Sequence, residues 1–187
     1  MNNIVLETHK LEKRYGKFIA VDNISLKIKE KSIYGLVGEN GAGKSSLMKM
    51  ISGLSNKTNG EIKLLGKDVN RHSVEFTEVG NLIEAPCLYD NLNAYDNLKL
   101  KSLAYGIKEE NKISSILQTV GLYDQNNKIV KRFSLGMKQR LAIAMAMVNS
   151  PKLLILDEPI NGLDPQGIID IRKTLQDINK KYDTTII

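Results

Sequence analysis

The apolar positions change period several times along the chain, and each change marks an element. Between residues 4 and 12, and again between 18 and 30, they alternate, as at Ile24, Leu26 and Ile28, the period of half-buried strands. Lys13-Arg14-Tyr15-Gly16-Lys17 lies between them and reads as a turn presenting one aromatic ring. Ile33, Tyr34, Leu36 and Val37 make a short apolar run that predicts a buried strand. Helical spacing follows at Leu47, Met50, Ile51 and Leu54. Asn59-Gly60 then opens a further strand, Glu61 to Leu65, closed by Gly66. The front third therefore reads as an antiparallel sheet added to a second core.

Beyond Val79 the texture becomes helical. Val79 to Ile83 is a short strand candidate, broken by Glu84-Ala85-Pro86. Helical spacing runs through Leu92 to Tyr105 and through Ile113 to Val120, punctuated by Gly106 and Gly121. Residues from roughly 86 to 150 thus read as a mostly helical insert. Its last helix follows Phe133-Ser134-Leu135-Gly136-Met137-Lys138-Gln139-Arg140, with Ser134 as N-cap and Pro151 as stop. Apolar residues run all round that helix, which predicts burial. Lys152 to Asp157 is nearly all apolar, as expected of a central parallel strand covered on both faces. Asp164 as N-cap and Pro165 at the first helical position start a helix with Ile168, Ile171, Leu175 and Ile178 inward. Thr184 to Ile187 begins another buried strand. Strands alternating with helices make this an α/β chain.

Chemistry enters with Gly38 to Ser45, which fits glycine, four residues, Gly-Lys-Ser, between a predicted strand and a predicted helix. Such a turn aims its backbone amides, and the unpaired amides of the helix start, at one spot that favours anions. Gly41 and Gly43 let the chain approach phosphate without a Cβ in the way. Lys44 supplies a cation for β- and γ-phosphates, and the Ser45 hydroxyl suits Mg²⁺. A nucleoside triphosphate is the ligand this pattern takes. Asp157 and Glu158 end the apolar strand where open α/β sheets place their chemistry. Asp157 offers the metal a second oxygen, and Glu158 is the available general base for water. Tyr15 can stack on a base without reading it.

A chain of 187 residues makes one large domain or two small ones. No apolar run approaches the ~20 residues that span a bilayer, and no secretory signal is visible. The lone Cys87 excludes a disulfide within the chain and suits the cytosol. The net charge of +6 comes from scattered lysines, which read as solvated surface and not as a nucleic-acid face. A small P-loop kinase or GTPase is disfavoured: there is no guanine-reading Asn-Lys-x-Asp element, and Ser134–Arg140 would go unexplained.

Taken together, Tyr15, the phosphate loop, Ser134–Gln139, the Asp157-Glu158 pair and Gly162-Leu163-Asp164 resemble, in order and spacing, the ATP-binding subunit of an ABC transporter. Asn81–Pro86 and Phe133–Arg140 are similar to its bacitracin-resistance and lantibiotic-immunity branch. The resemblance implies a single ABC-type ATP-binding domain over 1–187, incomplete at its C-terminus. Its fold would be a P-loop NTPase (RecA-like) core with an antiparallel β subdomain and a helical subdomain at about 86–150. The implied ligands are ATP and Mg²⁺, with hydrolysis coupled to export. ATP would be held by Tyr15, Val21, Gly38, Glu39, Asn40, Gly41, Ala42, Gly43, Lys44, Ser45 and Ser46. Across a head-to-tail dimer with a second ATP-binding subunit, it would also meet Ser134, Leu135, Gly136 and Met137. Glu158, Lys44 and Glu84 would serve the chemistry, Ser45, Asp157 and Glu84 the metal, and Asp164 communication between subunits. Transmembrane permease subunits would dock between about Glu84 and Lys101, placing the protein at the cytoplasmic face of the membrane, with no nucleic acid. The alternative is a soluble ABC-type ATPase acting on ribosomes or DNA, which calls for paired cassettes or a coiled-coil insertion.

Three features depart from the family's pattern. Glu84 stands in place of the usual glutamine and adds negative charge near the γ-phosphate, which predicts slower or more metal-dependent hydrolysis. Leu135 replaces a signature glycine. The family's histidine after the last strand is not in the sequence, since His9 and His72 lie upstream in unrelated, surface-like contexts. The expectation for this chain is ATP·Mg²⁺ binding with weak or no turnover, and bare apolar surface at the last strand.

Overall fold

The structure is a computed structural model that describes residues 3–69, 76–84, 86–125 and 127–187. Alternation in the front third produces a four-stranded antiparallel sheet, in the order β2-β1-β3-β4. Its strands are β1 (Ile4–Tyr15), β2 (Phe18–Lys29), β3 (Asn59–Leu64) and β4 (Lys67–Asp68). The inward residues Val5, Leu6, Leu11, Ile28, Ile62 and Leu64 form one core with α1 (Lys44–Ile51), which contributes Leu47, Met48, Met50 and Ile51. The helix that opens at the glycine loop is thus clamped from below by the sheet.

The second sheet is parallel, in the order β5-β6-β7: β5 (Val79–Leu82), β6 (Leu153–Leu156) and β7 (Thr185–Ile186). All four residues of β6 are buried, as the unbroken apolar run predicts. Its side chains alternate between two cores. Leu153 and Ile155 join the α1 core, whereas Leu154 and Leu156 join a helical core. That second core is built from α2 (Ala94–Ala104), α3 (Glu110–Thr119), α4 (Leu135–Ala146) and α5 (Pro165–Tyr182). The central strand is therefore the partition between the nucleotide-facing half and the helical half.

Three expectations change. Ile33 to Val37 is not a buried strand: it makes one parallel bridge, Ile33 to Ile186, and Val37 is 94% exposed. Across that bridge Tyr34 N donates to Ile186 O and Ile186 N donates to Ser32 O. The bare apolar surface expected at the last strand is not found there, since Ile186 and Ile187 are buried; the exposed apolar side chains are Ile33 and Val37 on the neighbouring segment. The helix α4 is buried through Leu141–Ala144, but its first turn lies at the surface, with Leu135 exposed. His9 and Cys87 are exposed, and His72 lies outside the described residues. Among the described residues no helix is long and apolar enough to cross a membrane.

Candidate nucleotide site

The loop between Gly38 and Ser45 owes its path to β2 beneath it. Gly43, at the N-cap of α1, has φ +87°, and a Cβ there would lie 2.0 Å from the Ala20 carbonyl oxygen. Only glycine fits that contact. Val21 is buried under the same residue and supports the loop from below. The Lys44 ammonium curls into the loop and donates to the carbonyls of Gly38 (2.8 Å) and Glu39 (2.9 Å), while Ala42 N donates to Glu39 O. Above lies a cavity of about 390 Å³, lined by Asn40, Gly41, Gly43, Lys44, Ser45, Ser46 and Glu158, with Tyr15, Phe18 and Ala20 on its rim. Tyr15 is half exposed, and the Lys13 ammonium sits 4.7 Å from its ring centroid. Hydrogen bonds from Ser55 and Ser46, aided by the Lys13 and Lys49 cations, lower the pKa of its phenol. Phe18 is a second exposed aromatic on the same rim that the sequence reading did not single out. Nothing in the alternation of β2 sets Phe18 apart.

The carboxylates arrive from the parallel sheet. Asp157 N donates to Leu82 O (2.9 Å), which fixes the ends of β5 and β6 side by side. The Asp157 carboxylate has one buried oxygen, Oδ1, with no hydrogen-bond partner. A buried bare carboxylate oxygen beside Lys44 is what a divalent cation satisfies, so the residues present fit Mg²⁺. Among the described residues no three His, Cys, Asp or Glu side chains converge, so a metal held here would need oxygens from its ligand and from water to complete its shell. Glu158 has φ +49°, an uncommon conformation for a side-chain-bearing residue, and its carboxylate accepts from Asn161 Nδ2 (3.1 Å). It faces both the phosphate cavity and an adjoining apolar cavity of about 520 Å³, walled by Ile33, Leu36, Met48, Ile160 and Leu175.

Glu84 sits elsewhere. Its backbone is also left-handed (φ +72°), and its carboxylate pairs with Lys49 Nζ on α1 at 2.5 Å. By hydrogen bond and charge, Lys49 holds Glu84 below the usual carboxylate range. Glu84 in turn raises Lys49, with smaller contributions from Tyr15 and Asp157. Glu84 lines neither cavity at the loop, and Lys49 is a residue that sequence reasoning missed.

The two predicted helix caps form. Ser134 Oγ accepts from Met137 N (3.3 Å) at the start of α4, and Asp164 Oδ1 accepts from Gly167 N (3.1 Å) at the start of α5. Ser134, Leu135, Gly136 and Met137 share a cavity of about 450 Å³ with Gly162, Leu163 and Asp164. It has no residue in common with the phosphate cavity. The structure thus gathers most of the predicted residues, Glu84 excepted, around two separate cavities.

Comparison with known proteins places this geometry. The family model described as ABC transporter matches residues 21–161. The lantibiotic transport ATP-binding protein SrtF of Streptococcus pyogenes is 44% identical over 98% of this chain and 79% of its own length. The bacitracin transport ATP-binding protein BcrA of Bacillus licheniformis is 41% identical over 97% of this chain, which spans 60% of that relative. Among solved structures, cbiO1 from Clostridium perfringens, part of the ABC transporter complex cbiONQ, superposes with a TM-score of 0.87 at 29% identity, covering 99% of this chain and 77% of its own. These relatives favour a transport role over action on ribosomes or DNA. The chain belongs to the ABC transporter family, as the ATP-hydrolysing subunit that powers a membrane transporter.

Proposed function

We propose that this subunit binds Mg·ATP between its own phosphate loop and the Ser134–Met137 turn of a second subunit, and drives export of a peptide antibiotic. The observation that carries the reading is the bare Asp157 Oδ1 beside Lys44 and Glu158 at the mouth of a glycine loop. Asp157 and Ser45 would hold the metal. When bound, Mg²⁺ neutralises charge on the β- and γ-phosphates. Lys44 exchanges its bonds to Gly38 and Glu39 for the phosphates. Tyr15 and Phe18 present rings to the base. Glu158 accepts a proton from the attacking water, steadied by Asn161.

Two half-sites on one chain that share no lining residue are what a head-to-tail pair would join. The exposed first turn of α4, with Ser134 and the N-terminal amides of the helix, would then meet the γ-phosphate of the neighbour. Nucleotide favours the closed pair because it contacts both copies, and hydrolysis removes that preference. A groove of about 390 Å³ lined by Asn81, Pro86, Cys87, Tyr89, Leu100 and Lys101 is the docking surface for a permease, which would hold the subunit at the cytoplasmic face of the membrane. The peptide-antibiotic cargo is carried over from what the transport relatives SrtF and BcrA are named for.

The test is Glu158→Gln, followed by light scattering with and without Mg·ATP. Removing the base while keeping the side chain's shape should trap ATP and convert monomer to dimer. Persistence as monomer at saturating nucleotide would sink the shared-site reading. Charge reversal at Lys101, or a carboxylate introduced at Leu100, should release a co-expressed permease, and full retention would discard the groove.

A further inference from the structure

The Lys49–Glu84 pair joins two elements that both aim at the nucleotide. Lys49 lies four residues after Ser45 on α1, so the two share a helix face. Glu84 lies two residues beyond Leu82, whose carbonyl accepts from Asp157 N. The pair therefore bridges the helix that starts at the phosphate loop and the strand end beside the metal-binding carboxylate. Yet Glu84 lines neither cavity at the loop, because Lys49 holds it at 2.5 Å. A neutral glutamine in its place would need no such partner. A carboxylate does, since an uncompensated negative charge beside a triphosphate opposes binding.

We propose that Lys49 is a positioning residue that neutralises Glu84 and holds it aside, so that Glu84 approaches the nucleotide only when Mg²⁺ competes with Lys49 for its carboxylate. The inference rests on the Mg·ATP reading above and adds a partner and a rule to it. Metal-free ATP finds a neutral pair at the edge of its site. Mg·ATP finds an exchangeable carboxylate. Lys49 acts through Glu84 and touches no reacting atom, so its signature is a changed metal dependence of binding.

The experiment measures ATP affinity by displacement of a fluorescent nucleotide, with EDTA and with saturating Mg²⁺ at fixed ionic strength. The readout is the ratio of the two affinities. Lys49→Met should weaken metal-free ATP by about fivefold or more while moving Mg·ATP by less than about twofold, so the ratio rises. Lys49→Gln, a good helix former, should behave alike, and Lys49→Arg should restore the ratio. In a Glu84→Gln background the same Lys49 changes should leave the ratio where Glu84→Gln alone sets it. Equal weakening of both forms would overturn the proposal, because Lys49 would then be a plain cation for phosphate. An unchanged ratio in Lys49→Met, or the same rise in the Glu84→Gln background, would overturn it too. Failure of the unmodified chain to bind Mg·ATP would instead strike the function proposed above, so the two failures are distinguishable.

Discussion

Removing the loop lysine tests the electrostatic basis of the site most directly, and Lys44→Met does so while keeping most of the side chain's stem. A unit charge about 4 Å from a phosphate charge in a partly solvated pocket is worth about 4 kcal/mol. The structure shows that this attraction is not a free gain. The ammonium already donates to Gly38 O at 2.8 Å and Glu39 O at 2.9 Å, and it must leave both to reach phosphate. Each such bond is worth about 1 kcal/mol net. The difference leaves about 2 kcal/mol, or about thirtyfold in affinity for Mg·ATP. Competition against a fluorescent ATP analogue reads it. The melting temperature of the free protein should barely move, because the two carbonyls released are in an open loop that water can reach. A loss of less than threefold with the fold intact would refute the reasoning, and so would a thirtyfold loss with a collapsed melting temperature.

Two further substitutions separate capping and docking roles. Asp164→Ala removes the cap that accepts from Gly167 N and should cost about 1 kcal/mol, seen as a melting temperature lower by about 2–4 °C. Lys101 lines the groove proposed for docking, and burial pushes its pKa below the ordinary lysine value of 10.5. The folded chain therefore binds that proton less readily than the unfolded one, and stability rises with pH between the lowered value and 10.5. Lys101→Met should raise the melting temperature at pH 7 and flatten that rise, both visible in melts from pH 7 to 10.5, while weakening permease capture.

Much of this was legible because it is local chemistry. The glycine loop, the Ser134 and Asp164 caps and the β6 run each depend on a handful of adjacent residues, and each forms as its pattern predicts. Ile33 to Val37 has the composition of a buried strand, but burial and pairing depend on a neighbour far along the chain. That neighbour, β7, offers one rung. The Lys49–Glu84 pair was invisible for the same reason. Its members are 35 positions apart and meet only because β5 and β6 align Leu82 with Leu156 and bring Asp157 to the same edge. The sequence reading put Glu84 at the metal on its place in the chain, and charge sets its partner in the fold. Phe18 lay in a strand whose alternation gave no hint that its ring would face a ligand cavity.

The segment from Asp157 to Asp164 explains how two cavities with no shared lining can still act together. It begins at the carboxyl end of the central strand, where Asp157 and Glu158 face the phosphate loop. It ends at the α5 cap beside the α4 turn, where a Cβ on Gly162 would stand 3.4 Å from the Leu135 side chain. Between these ends Asn161 holds Glu158, and Gly162 takes φ +73° to reverse the chain. Were Glu158 to shift on engaging water, Asn161 and, through Gly162 and Leu163, the surface of the second cavity are the groups placed to follow. Leu135 fills space there that a glycine would leave open, so it makes the second cavity more sensitive to that movement. Replacing Leu135 by glycine should therefore loosen the link between hydrolysis and closure more than it changes nucleotide affinity, since Leu135 does not line the phosphate cavity of its own chain.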